Sequence, residues 1–507
     1  MKATTSAIRA LESPAETATE TAADEQPSRS AVRWRRAGRV LRATLVAGLV
    51  AGGAAALVLW PQPRATVPPA PGPGARALSA VESGGPATAA DLAVLIADRE
   101  RHLRVHPGDT ASQAVLGAAY VERSRRTGDW ADFPRAERAL RAALAARPGG
   151  DAGALTGLAA LAVARGDLPA ARTWGERAVR LAPKRWASYP PLIEAYRGLG
   201  DDAAAGKALE ALRGLRVPEA AVRTVTGRLY RERGWREDAV ANLTDAVTAA
   251  RTPAEEAWAR QLLGEVAWDR GETEPALRHF DAALRVDPGR YEALAGRGRA
   301  LAALGRGDEA VRALREASAR RPVPEYAVEL GELHEALGAQ DAARDAYRVA
   351  RERVRVRTAH GARDLVLLGR LEADHGDGAA VAAVVEELEA EVRRAARPAV
   401  LDALGWALFR AGEPERGLVR VREAQEKGPR VPMVSYHRGV IERELGRGGA
   451  ARRHFGDAVR LHPAFSPLFA PRARAALGAL GELGSGGPAE VDGPPQPLTS
   501  PSASPSP

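Results

Sequence analysis

His102 and His106 stand four apart, which on a helix puts both rings on one face, as a pair of zinc ligands requires. No Glu flanks them in the metalloprotease arrangement, and Pro107 ends the helix at once. A structural pair is the competing reading, and no metal is expected. Asp374-His375-Gly376-Asp377 has the outline of a cation loop, yet it falls where a turn between two helices is due. Gly296-Arg297-Gly298 lacks the third glycine and the preceding strand of a dinucleotide site. The chain shows no Gly-x4-Gly-Lys loop to cradle a phosphate and no Gly-x-Ser-x-Gly elbow in a strand-turn-helix setting. With no nucleophile and base nominated, the expectation is a protein that is not an enzyme and needs no cofactor.

Composition narrows the classes further. The 507 residues contain no cysteine, which excludes disulfides, thiolate metal sites and thiol nucleophiles. Aromatics make up 5% of the chain, and Ala, Leu, Arg, Glu and Val dominate, the alphabet of helices packed closely through small residues. The formal charge of +9 invites a nucleic-acid partner. Against it, the arginines alternate with Glu and Asp along helical faces, and basic residues are Arg almost throughout, with Lys only at Lys2, Lys184, Lys207 and Lys427. That pattern reads as solvated helix faces in an Arg-biased proteome, and no nucleic acid is expected.

The ends of the chain are of a different kind. Residues 1–42 are polar and close on a basic cluster, Arg29, Arg33, Arg35, Arg36, Arg39 and Arg42, and read as a disordered tail. From Ala43 to Trp60 no charged residue occurs. At ~1.5 Å per residue this stretch spans roughly 27 Å, enough for a transmembrane helix. The preceding arginines orient the N-terminus to the cytoplasm, so the rest of the chain would lie outside the cell membrane, single-pass. A cleaved signal peptide, leaving a secreted protein, is the alternative. Residues 61–86 read as a Pro/Gly/Ala linker and residues 484–507 as a disordered Gly/Pro/Ser tail.

Between these ends, residues 87–483 repeat themselves. Gly264, Gly298 and Gly331 recur at steps of 34 and 33; Ala276, Ala310 and Ala343 keep that step, as do Phe280, Leu314 and Tyr347, and Ala283, Ala317 and Ala350. A second run in phase joins Gly405 to Gly439, Val421 to Phe455, Ala424 to Ala458 and Pro429 to Pro463. The small residues mark where helices approach closely, the large one fills the space between successive pairs, and the proline stops the second helix by lacking an amide hydrogen. Fainter units run upstream to Gly117, where about seven extra residues precede Ala136, and the unit at Gly369 has Val381 and Leu388 in place of alanines. The fold class expected is all-α, a superhelical solenoid of about ten helix-turn-helix units, with capping helices at 87–106 and 466–483 because an open stack exposes an apolar face.

This spacing resembles the tetratricopeptide repeat over residues 110–465, and the whole chain resembles membrane-anchored repeat proteins of high-GC actinobacteria. The resemblance implies that the first helices line a concave groove that binds a protein or peptide segment. Projected onto this sequence, the groove face comprises Arg228, Arg231, Trp258, Glu265, Trp268, Arg299, Glu332, Glu335, Trp406, Phe409, Tyr436 and Arg443. The tryptophans would anchor apolar side chains and Arg228, Arg231 and Arg299 would pair acidic groups. For Trp268 and Trp406, burial between units is the other reading. The function expected is a membrane-anchored binding scaffold, or else an assembly or regulatory factor that positions an envelope enzyme or transporter.

Overall fold

In a computed structural model the described residues are 71–481, apart from Pro148. The basic tail, the apolar segment 43–60 and the tail 484–507 lie outside them. Among the described residues there are 23 α-helices, one short 3-10 turn and no strand. No described helix is long and apolar enough to cross a membrane.

The repeat resolves into ten helix hairpins. In chain order they are α3/α4 (Thr110–Thr127, Asp132–Ala145), α5/α6 (Ala152–Ala164, Leu168–Leu181), α7/α8 (Tyr189–Gly198, Asp202–Arg213), α9/α10 (Glu219–Glu232, Arg236–Ala249) and α11/α12 (Pro253–Asp269, Thr273–Val286). Then follow α13/α14 (Tyr291–Ala303, Gly307–Arg320), α15/α16 (Pro324–Ala336, Gln340–Ala359), α17/α18 (Leu365–His375, Gly378–Arg394), α19/α20 (Pro398–Arg410, Pro414–Lys427) and α21/α22 (Pro432–Glu444, Gly448–Leu461). They are numbered here as hairpins 1 to 10. Before them lie α1 (Pro73–Ser83) and α2 (Ala89–Val105), and after them α23 (Phe469–Ala479).

Helix starts follow ordinary capping chemistry. Asp109, Asp151, Asp201 and Asp377 each accept a hydrogen bond from a first-turn amide, and Thr252 with Glu255 forms a reciprocal capping box at α11. In every hairpin but the eighth the first helix ends on a left-handed glycine: at Gly271, with φ +74°, the Glu272 amide turns back to donate to the Ala267 carbonyl at 2.9 Å.

The recurring small residues sit where helices meet. A Cβ on Gly264 would lie 2.7 Å from the ring of Phe280, so only a hydrogen fits between α11 and α12. Phe280 is itself fully buried and reaches Gly296 of the next hairpin, which locks neighbouring units together. Ala276, Ala283, Ala310 and Ala317 have no exposed surface. The two irregular units are explained as well. Gly117 to Gly128 is four residues longer than Gly298 to Gly305, about one helical turn added to α3, and the remaining three residues widen the turn around buried Trp130. In hairpin 8 the larger Val381, Val384 and Leu388 are buried on an extended α18.

One expectation is corrected at the N-terminus. Residues 73–83, read as linker, form α1, with Ala77 fully buried and Arg76 held by Asp91 of α2 at 2.7 and 3.0 Å. Proline and glycine misled here because Pro73 occupies the first helical position, where a missing amide costs nothing.

The stack also closes on itself. The turn of hairpin 1 sits on the end of hairpin 6: Gly128 packs on Arg321 and Val323, and the Arg321 guanidinium donates to the Arg125 carbonyl. Beside it, buried Arg126 donates to Asp287 at 2.7 Å. The turn of hairpin 2 meets the end of hairpin 7 through a main-chain bond from Arg363 N–H to Arg165 O at 2.8 Å, reinforced by Arg394 to Asp167. The turn of hairpin 5 meets the end of hairpin 10, where Trp268 contacts His462 edge-on at 4.4 Å and Pro463 packs on Gly271. Successive turns of the superhelix therefore touch at hairpins 1, 2 and 5, which meet hairpins 6, 7 and 10, with hairpin 2 reaching hairpin 8 as well through Arg394.

Candidate functional site: the concave face

Closure makes the concave face an interior. Its N-terminal half, formed by α3, α5, α7, α9 and α11, holds a cavity of about 450 Å³. Small and apolar side chains make much of its lining, an apolar trough that includes Ala114, Ala118, Gly157, Ala160, Val225 and Trp258. Charged residues of the same helices and turns share the lining in equal number, Arg125, Arg147, Arg185, Arg197 and Arg228 with Glu82, Glu122, Asp151, Glu194 and Glu232. The turn after α1 reaches into this face: Gly84 packs on Ala187, Arg185 donates to the Glu82 carbonyl at 3.3 Å, and Gly84, Gly85 and Pro86 share a small recess with Trp258.

The arginines assigned to an acidic ligand are already engaged. Arg228 binds Glu194 through two hydrogen bonds of 2.9 and 3.1 Å, and Arg231 binds Glu265 and Asp269. Arg299 lies 3.5 Å from Glu329. Burial pushes the Glu194 carboxyl up, but Arg228, Arg125 and Arg197 more than offset it and it falls to about 2. These pairs form a ladder between first helices of adjacent hairpins, and Arg228 and Arg231 already hold carboxylates of the chain itself. The signal was in the sequence: Glu194 and Arg228, like Arg231 and Glu265, are 34 apart, opposite charges at one repeat step.

Aromatics of the C-terminal half are likewise engaged within the chain, and for Trp406 the reading of burial between units fits. Trp406 is 4% exposed, stacks on His437 at 4.3 Å and donates its indole N–H to Asp374 at 3.0 Å. Tyr436 is buried against Phe455 and Phe469, and Phe409 is half-buried beside Trp406. Below them Asp402, without exposed surface, joins His437 at 2.9 Å and Arg370 at 2.8 Å. Burial raises the Asp402 carboxyl, yet His437 and Arg370 hold it near 2. This network ties hairpins 8, 9 and 10 together.

The remaining projected residues divide. Trp268, Arg299 and Glu332 line a second cavity of about 450 Å³ with Met433, Phe465 and Ser466. Burial drives the Glu332 carboxyl up to about 7, and it accepts from the Ser466 hydroxyl at 2.9 Å. Glu335 accepts from Tyr347 at 3.0 Å and Arg472 at 2.8 Å. Arg443 is exposed, its guanidinium 5.8 Å from the Phe455 ring. Of the twelve, Trp258 and Arg228 face the trough cavity.

Among the described residues no group of three or more His, Asp or Glu is placed to hold a metal. His102 and His106 do bring their rings together, 4.8 Å apart, and His102 Nε2 is taken by Asp109 at 3.0 Å. Asp374–Asp377 is the turn between α17 and α18, where Asp377 caps α18.

Comparison with known proteins follows the same lines. Two sequence profiles described as tetratricopeptide repeat match, one at residues 267–330 and the other at 131–185 and 403–464. No curated protein sequence matches the chain. Similar solved structures include the human IFIT1 dimer with PPP-AAAA, 17% identical, covering 62% of this chain and 72% of that one at a TM-score of 0.42. A thermophilic repeat protein of Thermus thermophilus is 25% identical over 34% of this chain and 91% of its own, with a TM-score of 0.31. PilW, a type IV pilus biogenesis factor, is 19% identical over 39% and 90%, at 0.33. The profile matches fall on hairpins 1–2, 5–7 and 9–10 of the ten-hairpin stack, so the chain contains tetratricopeptide repeats.

Proposed function

We infer that this protein is a non-catalytic, membrane-tethered scaffold, and that it holds a segment of a partner protein in the trough of hairpins 1–5. One observation carries the reading: the trough is a largely apolar cavity of about 450 Å³, and Arg228 in its lining is already paired with Glu194 and Glu232. Small side chains there leave room, and an apolar side chain from a partner would gain roughly 25 cal/mol per Å² of surface buried. Trp258, in the lining of the trough, is the anchor that remains from the projected groove. Tethering rests on the uncharged run Ala43–Trp60 and the arginines before it, and the Arg-rich composition supports the actinobacterial likeness. The alternative is a factor that positions an envelope enzyme or transporter and binds little by itself; deleting residues 1–60 would abolish that role and leave peptide binding intact.

Two experiments test this. A filled trough, as in Ala160→Trp, should abolish recovery of the partner from native membranes while leaving the helical circular-dichroism signal intact; unchanged recovery would reject the trough. A C-terminal reporter should report the outer side of the membrane, and a cytoplasmic signal would reject the tether as oriented here.

A further inference from the structure

The second cavity lies outside the trough and has a chemistry of its own. It is lined by α11, α13, α14 and α15 of hairpins 5–7, by Met433 of α21, and by residues between Ala464 and Arg474, which follow hairpin 10. That last segment is fastened to the same hairpins. His462 meets Trp268 edge-on at 4.4 Å, the Ser466 hydroxyl donates to Glu332 at 2.9 Å, and Arg472 donates to Glu335 at 2.8 Å. The chain thus spans this part of its own concave face, and what remains between is a volume of about 450 Å³. Small-molecule sites run from about 300 to 1,000 Å³ and combine an apolar lining with a few placed polar groups.

Here the apolar lining includes Trp268, Leu314, Leu333, Met433, Phe465 and Pro471, and Arg299, Glu329 and Glu332 stand within it. A further arginine of the lining, Arg474, is exposed and donates to the Pro463 carbonyl. Arg299 answers Glu329 at 3.5 Å, yet that pair is incomplete: Arg299 Nε and Glu329 Oε2 are buried and meet no hydrogen-bond partner among the described residues. Glu332, three positions along α15 from Glu329, forms no ion pair among the described residues and accepts from the Ser466 hydroxyl. Two carboxyl groups therefore face one engaged guanidinium, and a buried carboxylate oxygen lacks a donor. An unmet acceptor of this kind is costly unless something brings it a proton to share.

We propose that this cavity is a binding site for a small organic amine, its ammonium group held by Glu329 and Glu332 and its apolar body set against Trp268, Met433 and Phe465. An ammonium carries three donors, enough to reach Glu329 Oε2 and Glu332 together. An anion would meet two carboxyl groups with the one guanidinium already engaged, and a neutral molecule would leave the excess carboxylate without a counter-charge. Binding is tied to a proton as well. Burial raises the Glu332 carboxyl to about 7, with Glu329 and Asp374 adding to the rise and Ser466 and Arg370 opposing it. The ammonium needs the ionised carboxylate, so affinity increases as pH climbs through 7. Nothing in this site depends on what occupies the trough.

The test is isothermal titration calorimetry on the full chain in nonionic detergent micelles, with heats from micelles alone subtracted. The probes are tryptamine, its neutral isostere tryptophol, the anion indole-3-propionate, and a blocked pentapeptide with Lys at its centre. The expected result is one tryptamine per chain, with each of the other three at least tenfold weaker. Glu332→Gln, which keeps an acceptor for Ser466, should weaken tryptamine at least tenfold, and Ala303→Trp, which fills the cavity, should abolish its binding, both with the helical circular-dichroism signal intact. Between pH 6 and pH 8 the affinity of the parent should rise about tenfold, and that of Glu332→Gln should stay flat. Equal binding of tryptophol or indole-3-propionate, or indifference to Glu332→Gln or to pH, would overturn the ammonium–carboxylate pairing. Indifference to Ala303→Trp, tighter uptake of the Lys peptide, or no measurable association of tryptamine would overturn the site.

Discussion

The two halves of the concave face are built from the same repeat and end in opposite states. In hairpins 1–5 the first helices present Ala114, Ala118, Gly157 and Ala160, and a cavity remains. In hairpins 8–10 the corresponding helices present Trp406, Phe409, Tyr436 and His437, and stacked rings take up the space. Aromatic residues on this face therefore mark where the chain has filled its own interior. Small ones mark where something else can go.

The comparison is broken most sharply at its filled end. Trp406→Ala should destabilise hairpins 8–10 by about 3–5 kcal/mol, because an indole that is stacked and hydrogen-bonded leaves a cavity behind. Hydrogen exchange should accelerate in α17, α19 and α21 and stay unchanged in α3 and α5; uniform acceleration would mean the halves are not separable. Asp402→Ala should cost about as much, some 3 kcal/mol or more, by leaving His437 and Arg370 buried without their anion, and Asp402→Asn should recover part of it. Urea midpoints of the two variants decide the point.

Gly264→Ala perturbs the packing within hairpin 5, where a methyl would meet Phe280 at 2.7 Å. We expect a loss of about 1–3 kcal/mol by overpacking, which disappears when Phe280→Ala in the same chain removes the ring, and a simple additive loss in the double variant would contradict the contact. The smallest effect is a pH dependence. Burial holds the Glu332 carboxyl near 7, above its unfolded value, so the folded state keeps a proton that the unfolded state releases. Its favourable contribution is complete at low pH and is lost as pH rises towards 7. Glu332→Gln should therefore melt like the parent at pH 4 and higher than it at pH 8, by on the order of 1–2 kcal/mol after screening, whereas a difference that shrinks with pH would reverse the sign.

Much of this architecture was legible in the residues themselves. Glycine, alanine and proline at a 34-residue step predicted which surfaces meet, and Gly264 against Phe280 is the contact they specify. Two features were hidden. α1 escaped because Pro73 and Gly74 carry linker chemistry although proline is tolerated at a helix start. Closure of the superhelix escaped because it depends on pairs such as Arg126 with Asp287 and Arg363 with Arg165, more than 150 residues apart, for which no periodicity speaks. Projection of the groove took the concave-face arginines as available to a ligand; Arg228 and Arg231 already pair with Glu194, Glu265 and Asp269 of the neighbouring hairpins, opposite charges at or near one repeat step.

The claim on which these points turn is that a partner sits against the small residues of hairpins 1–5. A photo-crosslinking amino acid at Ala118, on the trough, and at Val419, 59% exposed on α20, would address it in native membranes. A discrete adduct from position 118, absent from 419 and lost with Ala160→Trp, is the expected result; identical adducts at both positions, or none at 118, would contradict it.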